Sequence, residues 1–123
     1  MSKSFDELIA VMVRLRAPGG CPWDAEQTYR SLSQYLLEEA YETFDAIHEA
    51  DATGNTEHLQ EELGDLLLQV VFHATIGDER GDFTIEDVAK GITEKLILRH
   101  PHVFGNANFA RAEDVLDNWD QLK

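Results

Sequence analysis

The sequence predicts an all-α fold: an antiparallel helix bundle with a four-helix core, a short C-terminal helix and a surface completed by oligomerisation. Three observations lead there. Apolar residues recur at helical spacing in four long segments. No segment alternates polar and apolar residues as a half-buried strand would. The breaks between segments carry helix-ending residues: Pro18, Gly19 and Gly20, then Gly54, then Gly77 and Gly81, then Pro101 and Gly105.

The first helix is expected over residues 5–16, with Phe5, Leu8, Ile9, Met12 and Leu15 at helical spacing and Ser4 as N-cap, Glu7 three residues on. Residues 21–24 are expected as an extended or turn segment, because the residue before Pro22 is pushed out of the helical region. Trp23 there is either a core plug or a flat surface for a ring ligand. The second helix runs from about Ser31 or Leu32 to Ala50. Leu36, Ala40, Phe44 and Ile47 form its apolar stripe, Glu38, Glu42, Asp45 and Glu49 form a stripe opposite, and Glu39 lies at the border. A loop over 51–56 leads to the third helix, about 57–76, which Thr56 is placed to cap. Leu59, Leu63, Leu66, Leu67, Val70 and Ala74 share one of its faces, and Val71 and Phe72 widen it, so this helix is central or is covered by a second subunit. Gly64, mid-helix, costs roughly 1 kcal/mol relative to Ala and is expected to admit a close neighbouring helix or a ligand. Residues 77–83 form a loop. Thr84 to Asp87 resemble a capping box that starts the fourth helix, with Ile85, Val88, Ala89, Ile92 and Leu96 facing inward. Residues 100–105 break that helix, and a last one spans about 111–122 and contains Trp119.

The chain has 123 residues, enough for one core and too few for two ordinary domains. A net charge of -14 argues against a general nucleic-acid or anionic-membrane binder, since both need a basic face. Phosphate-bearing substrates remain open to it where metal ions intervene. The one cysteine, Cys21, permits no internal disulfide and is read as a small packed side chain rather than a catalytic thiol. A reducing, cytoplasmic setting follows. The longest apolar run, 66–74, is interrupted by Gln69 and His73 and is too short to span a bilayer.

The chemistry lies in residues 36–65. No Lys or Arg occurs from 31 to 79, so its carboxylates have no basic neighbour in sequence. Residues three or four apart share a helix face, so Glu39 and Glu42 can converge on one ion, and so can Glu62 and Asp65. An antiparallel hairpin sets the two pairs opposite each other. Such an all-oxygen nest suits Mg²⁺ or Mn²⁺ rather than Zn²⁺ or copper. The bland alternative is a solvated acidic face. Glu39 and Glu62 weigh against it, because they border apolar stripes where unpaired charge is expensive. A di-iron bundle is a third reading, but its Glu-x-x-His pairing is approached only once, by Asp45 and His48. His48, His58, His100 and His102 read as surface or loop residues and His73 as a satisfied helix residue. Trp23, Phe104 and Trp119 are candidates to stack on a base.

Glu38-Glu39-Ala40-Tyr41-Glu42 followed by Glu62-Leu63-Gly64-Asp65 resembles the Glu-Glu-x-x-Glu, spacer, Glu-x-x-Asp pattern of the MazG family of nucleoside triphosphate pyrophosphohydrolases, in the all-α NTP pyrophosphatase superfamily. Residues 20–24, 61–74 and 99–105 resemble that family too, so the likeness covers nearly the whole chain. It implies Mg²⁺-dependent hydrolysis of NTPs or dNTPs to monophosphate and pyrophosphate, a nucleotide house-cleaning activity. By position it implies Glu39, Glu42, Glu62 and Asp65 as metal ligands, Glu38 as an outer-sphere or water-activating group, and Lys95 and Arg99 as phosphate holders. Members are dimers or larger, built from four-helix bundles. Residues 1–123 are expected to form one such domain, either a single-domain member or the N-terminal part of a longer protein. The competing reading from another class is a non-catalytic nucleotide- or metal-binding module that dimerises or regulates a partner.

Overall fold

A computed structural model describes residues 2–121, and all its regular elements are helices. They fall into two compact units, divided between Thr84 and Ile85. No helix among the described residues is long and apolar enough to cross a membrane.

The first unit begins with α1, Lys3–Arg16. Its N-cap is Ser2 rather than Ser4: the Ser2 hydroxyl accepts from the Phe5 amide at 3.2 Å, which starts the helix at Lys3 rather than Phe5. The expected stripe holds, with Met12 fully buried. Residues 22–26 are helical, not extended. Cys21 is extended, as a residue before Pro must be, but Pro22 then occupies the first helical position of α2, Pro22–Glu26. The fork of Arg16 ties three helices together. Its Nη1 donates to the carbonyls of Asp24 and Gln27 at 2.7 and 3.0 Å. Its Nε and Nη2 donate to the Glu79 carboxylate at 2.8 and 3.0 Å.

The two long helices are α3, Tyr29–Thr53, and α4, Glu57–Arg80. A reciprocal capping box of Thr28 and Ser31 opens α3. Gly54, at φ 78°, closes it in the left-handed conformation that glycine adopts without strain. Asn55, not Thr56, satisfies the start of α4, its side chain accepting from the Glu57 amide at 3.1 Å. α4 runs one turn past its expected end. Gly77 is helical, and a Cβ there would stand 2.8 Å from the Phe83 ring, which packs against it.

α3 and α4 form an antiparallel hairpin, with Thr43 against Glu62 and Glu49 against His58. The face of α3 turned to α4 is Leu32, Thr43 and Ala46, all buried, and not the Leu36, Ala40, Phe44, Ile47 stripe. That second stripe is exposed: Phe44 is 58% accessible and Ile47 50%. On α4 the buried apolar side chains are Val71, Phe72, Ala74 and Ile76, while Leu63, Leu67 and Val70 are exposed. A Cβ at Gly64 would meet nothing within 4 Å, so no neighbour in this chain accounts for that glycine.

The second unit holds α5, Ile85–Leu98, α6, Pro101–Phe104, and α7, Ala112–Gln121. The Pro at its first position makes α6 a helical turn where a plain break is expected. Leu122, the expected end of the last helix, lies outside the described residues. Val88, Ile92 and Leu96, expected to face inward, are exposed. The aromatic end of the unit is better packed. The Arg99 guanidinium lies 4.7 Å over the Trp119 ring, His100 meets Trp119 edge-on, and His102 packs on Phe109. His100 stands in the break before α6, a loop position as expected, while His102 is helical; both are half-buried.

Candidate metal centre

Register within the hairpin brings together the four residues the spacing singles out. Glu39, Glu42, Glu62 and Asp65 each offer a carboxylate oxygen, and these oxygens all lie within 4.8 Å of one another. Thr43 holds the seam at this point. Its hydroxyl donates to the Glu39 carbonyl at 2.7 Å and reaches the Glu62 carbonyl at 3.4 Å, linking the backbones of two members of the quartet. Nothing in the spacing of acids flags Thr43. Its signal is its place in the 32, 39, 43, 46 series that faces α4.

The quartet is electrostatically costly by itself. Burial raises the Glu39 carboxyl above its ordinary value, and the charges of Glu42, Asp65 and Glu62 push in the same direction. Burial also raises Glu62, Glu42 adds to that, and the bond to His58 opposes it. Glu39 Oε2 and Glu62 Oε2 are buried and have no hydrogen-bond partner. The Glu62 side chain is only 10% exposed. Two such oxygens within a four-carboxylate group fit a hard divalent cation, since the donors are all oxygen and the charge needs a positive partner. Asp45 and His48 are exposed and are not members of the quartet.

Glu38 is exposed on α3 and is not among the four. Lys95 is exposed near the end of α5, and Arg99 follows one residue beyond that helix, half-buried against Trp119. The Arg99 amide still bonds the Lys95 carbonyl at 3.0 Å, which keeps the two one turn apart. Trp23 is neither plug nor bare platform. It meets Tyr35 and Phe72 edge-on, yet is 48% exposed. Phe104 is exposed and Trp119 half-buried.

His58 is exposed, as the sequence reading expects, but it makes two contacts that reading did not name. Its Nδ1 lies 2.7 Å from Glu49 Oε2 and its Nε2 3.1 Å from Glu62 Oε1. The spacing of four from Glu62 was visible in sequence; the Glu49 partner needs the hairpin's register. The bond to Glu49 raises the imidazole above its ordinary value.

Fold and site define an all-helical protein that gathers carboxylates across a hairpin, a centre that could hold a divalent cation. Residues 27–104 match the model of the MazG nucleotide pyrophosphohydrolase domain, and the chain belongs to that family. It is 54% identical over 114 residues to the nucleoside triphosphate pyrophosphohydrolase/pyrophosphatase MazG of Thermotoga maritima, covering 90% of this chain and 43% of that protein. It is 46% identical over 119 residues to the nucleoside triphosphate pyrophosphohydrolase of Escherichia coli K12, covering 96% and 44%. It is 51% identical over 119 residues to the uncharacterized protein YabN of Bacillus subtilis, covering 97% and 24%. The chain thus spans less than half the length of these relatives. The crystal structure of a MazG-related protein from Thermotoga maritima shares the fold, with a TM-score of 0.72 at 24% identity, over 95% of this chain and 96% of that one.

Proposed function

We propose that this chain, as one domain over residues 1–123, hydrolyses nucleoside triphosphates or their deoxy forms to monophosphate and pyrophosphate, clearing unneeded nucleotides in the cytoplasm. The observation that carries this reading is the quartet of carboxylates with two buried, unpartnered oxygens in a chain of this family. Glu39, Glu42, Glu62 and Asp65 would hold Mg²⁺, with Mn²⁺ as substitute. When bound, that cation supplies charge neutralisation and in-line orientation for phosphoryl chemistry. Glu38, exposed beside the quartet on the same helix, is the candidate to accept a proton from the attacking water. Lys95 and Arg99 are assigned to phosphate oxygens, and Trp23, Phe104 and Trp119 to the base. Arg99 is fork-shaped and already fixed over Trp119, so it is pre-ordered for a planar phosphate contact.

We assign self-association to the exposed stripe of the hairpin. Leu36, Leu37, Tyr41, Phe44 and Ile47 on α3 and Leu63, Leu67 and Val70 on α4 are all exposed. So many large apolar side chains on one helix pair call for a covering surface, and a second copy of the hairpin would complete a four-helix core.

The test is a screen of all NTPs and dNTPs with Mg²⁺, identifying the products. Monophosphate with pyrophosphate is expected, and Glu42→Gln and Asp65→Asn should abolish it with helix content unchanged. Diphosphate with phosphate, or variants as active as the parent, would refute the assigned reaction or roles. Metal-dependent NTP binding without turnover would leave the non-catalytic module instead.

A further inference from the structure

We propose that His58 is a positioning residue for Glu62: held by Glu49, it fixes one oxygen of the Glu62 carboxylate and so presents the other to the shared cation. This deepens the reading of the quartet as a cation site and rests on it. The geometry is a three-residue relay across the hairpin near its loop end. Glu49 Oε2 stands 2.7 Å from Nδ1, and Nε2 stands 3.1 Å from Glu62 Oε1. The relay enters from solvent, since the His58 and Glu49 side chains are each 47% exposed, and it ends on a side chain that is 10% exposed. The two oxygens of Glu62 therefore differ. Oε1 is engaged by the imidazole, and Oε2 is buried with no hydrogen-bond partner, within the residue group whose oxygens converge. Thr43 already anchors the Glu62 carbonyl, so backbone and side chain are each fixed by a separate contact. A carboxylate ordered before its ligand arrives loses less freedom on binding, and outer partners of metal-binding side chains commonly act this way. A histidine that merely fills the cation's place would do the reverse, and its removal would tighten binding.

The test uses the full chain at one fixed pH, with free Mn²⁺ followed by electron paramagnetic resonance. His58→Ala should weaken Mn²⁺ binding roughly 10- to 100-fold, and His58→Gln, which keeps a donor, should recover part of the loss. Glu49→Ala should weaken binding in the parent and add nothing in the His58→Ala background, because it acts only through the imidazole. Mn²⁺ binding by His58→Ala equal to or tighter than the parent overturns the proposal. So does a Glu49→Ala effect of the same size in both backgrounds. Glu62→Gln separates this from the reading beneath it. If Glu62→Gln loses Mn²⁺ and His58→Ala does not, only the role of His58 fails. If the parent binds no Mn²⁺, or Glu62→Gln binds as the parent does, both fail. Circular dichroism establishes that each variant keeps its helices.

Discussion

Replacing Glu62 by Gln should change the sign of the cation's effect on relative stability. Glu62 is nearly buried, and burial together with Glu42 disfavours its charged form. Gln is close to isosteric, can still meet His58 Nε2 with its amide oxygen, and removes the charge. In chelator, the variant should therefore melt above the parent. Added Mn²⁺ reverses the order. At a hundredfold excess over its dissociation constant, a ligand that binds only the folded form contributes about 2.7 kcal/mol. For a chain of this size that is about 10 °C in melting temperature. The parent should gain that increment, and the variant, lacking a carboxylate in the quartet, should gain little of it. Differential scanning calorimetry with chelator and with Mn²⁺, on both proteins, gives the four melting temperatures needed. If the variant melts below the parent in chelator and both then rise equally with Mn²⁺, Glu62 is neither a strained carboxylate nor part of a cation site.

Three further outcomes are expected. In chelator-treated protein, stability should fall as pH rises: Glu39 and Glu62 have raised values, so their penalty is absent below the ordinary carboxylate range and complete above their folded values, while the stabilisation from His58, also raised, is lost as pH passes its folded value. Denaturant midpoints over a pH series check this, and a rise in stability from pH 5 to 8 would contradict it; His73, lowered by burial, opposes the trend on its acid side. Arg16→Lys keeps the charge but loses the fork that reaches two carbonyls and Glu79, and should cost roughly 2–4 kcal/mol in urea unfolding; an unchanged midpoint would show the clamp to be idle. Phe44→Glu should halve the mass measured by light scattering while helix content stays constant, and an unchanged mass would remove the exposed stripe as the contact between copies.

The long helices, the hairpin and the carboxylate quartet were legible because helical spacing alone decides which residues share a face, while the short helices α2 and α6 were not. Glu39 with Glu42, and Glu62 with Asp65, need only that rule and a short turn at Gly54. What spacing could not decide was which of two stripes on α3 faces α4. The large apolar residues Leu36, Phe44 and Ile47 look like the core stripe, yet the buried one carries Leu32, Thr43 and Ala46. Hydrophobicity reports that a residue seeks cover, not whether its own chain supplies it. The helix at 22–26 was missed because the restraint on Cys21 was extended to its neighbours, whereas Pro22 is itself suited to a first helical turn. The contacts of His58 were not legible because one partner, Glu49, is nine residues away and meets it only across the hairpin.

The seam explains why the quartet forms where it does. Small residues, Thr43 and Ala46, face α4 where bulky ones would hold the helices apart. Close approach puts the Thr43 hydroxyl within reach of a carbonyl on the opposite helix, and it lets glutamate and aspartate side chains of ordinary length converge. The same choice leaves the large apolar residues of α3 on a different side of the helix, away from its acids. One helix thus presents three separate faces by angle alone: a small-residue face that closes the hairpin, an acidic edge that gathers charge, and an exposed apolar face. The cost of gathered charge is visible in the raised carboxyls of Glu39 and Glu62. Both acids stand at a buried seam where their charge is costly, and the four oxygens gathered there could hold a cation.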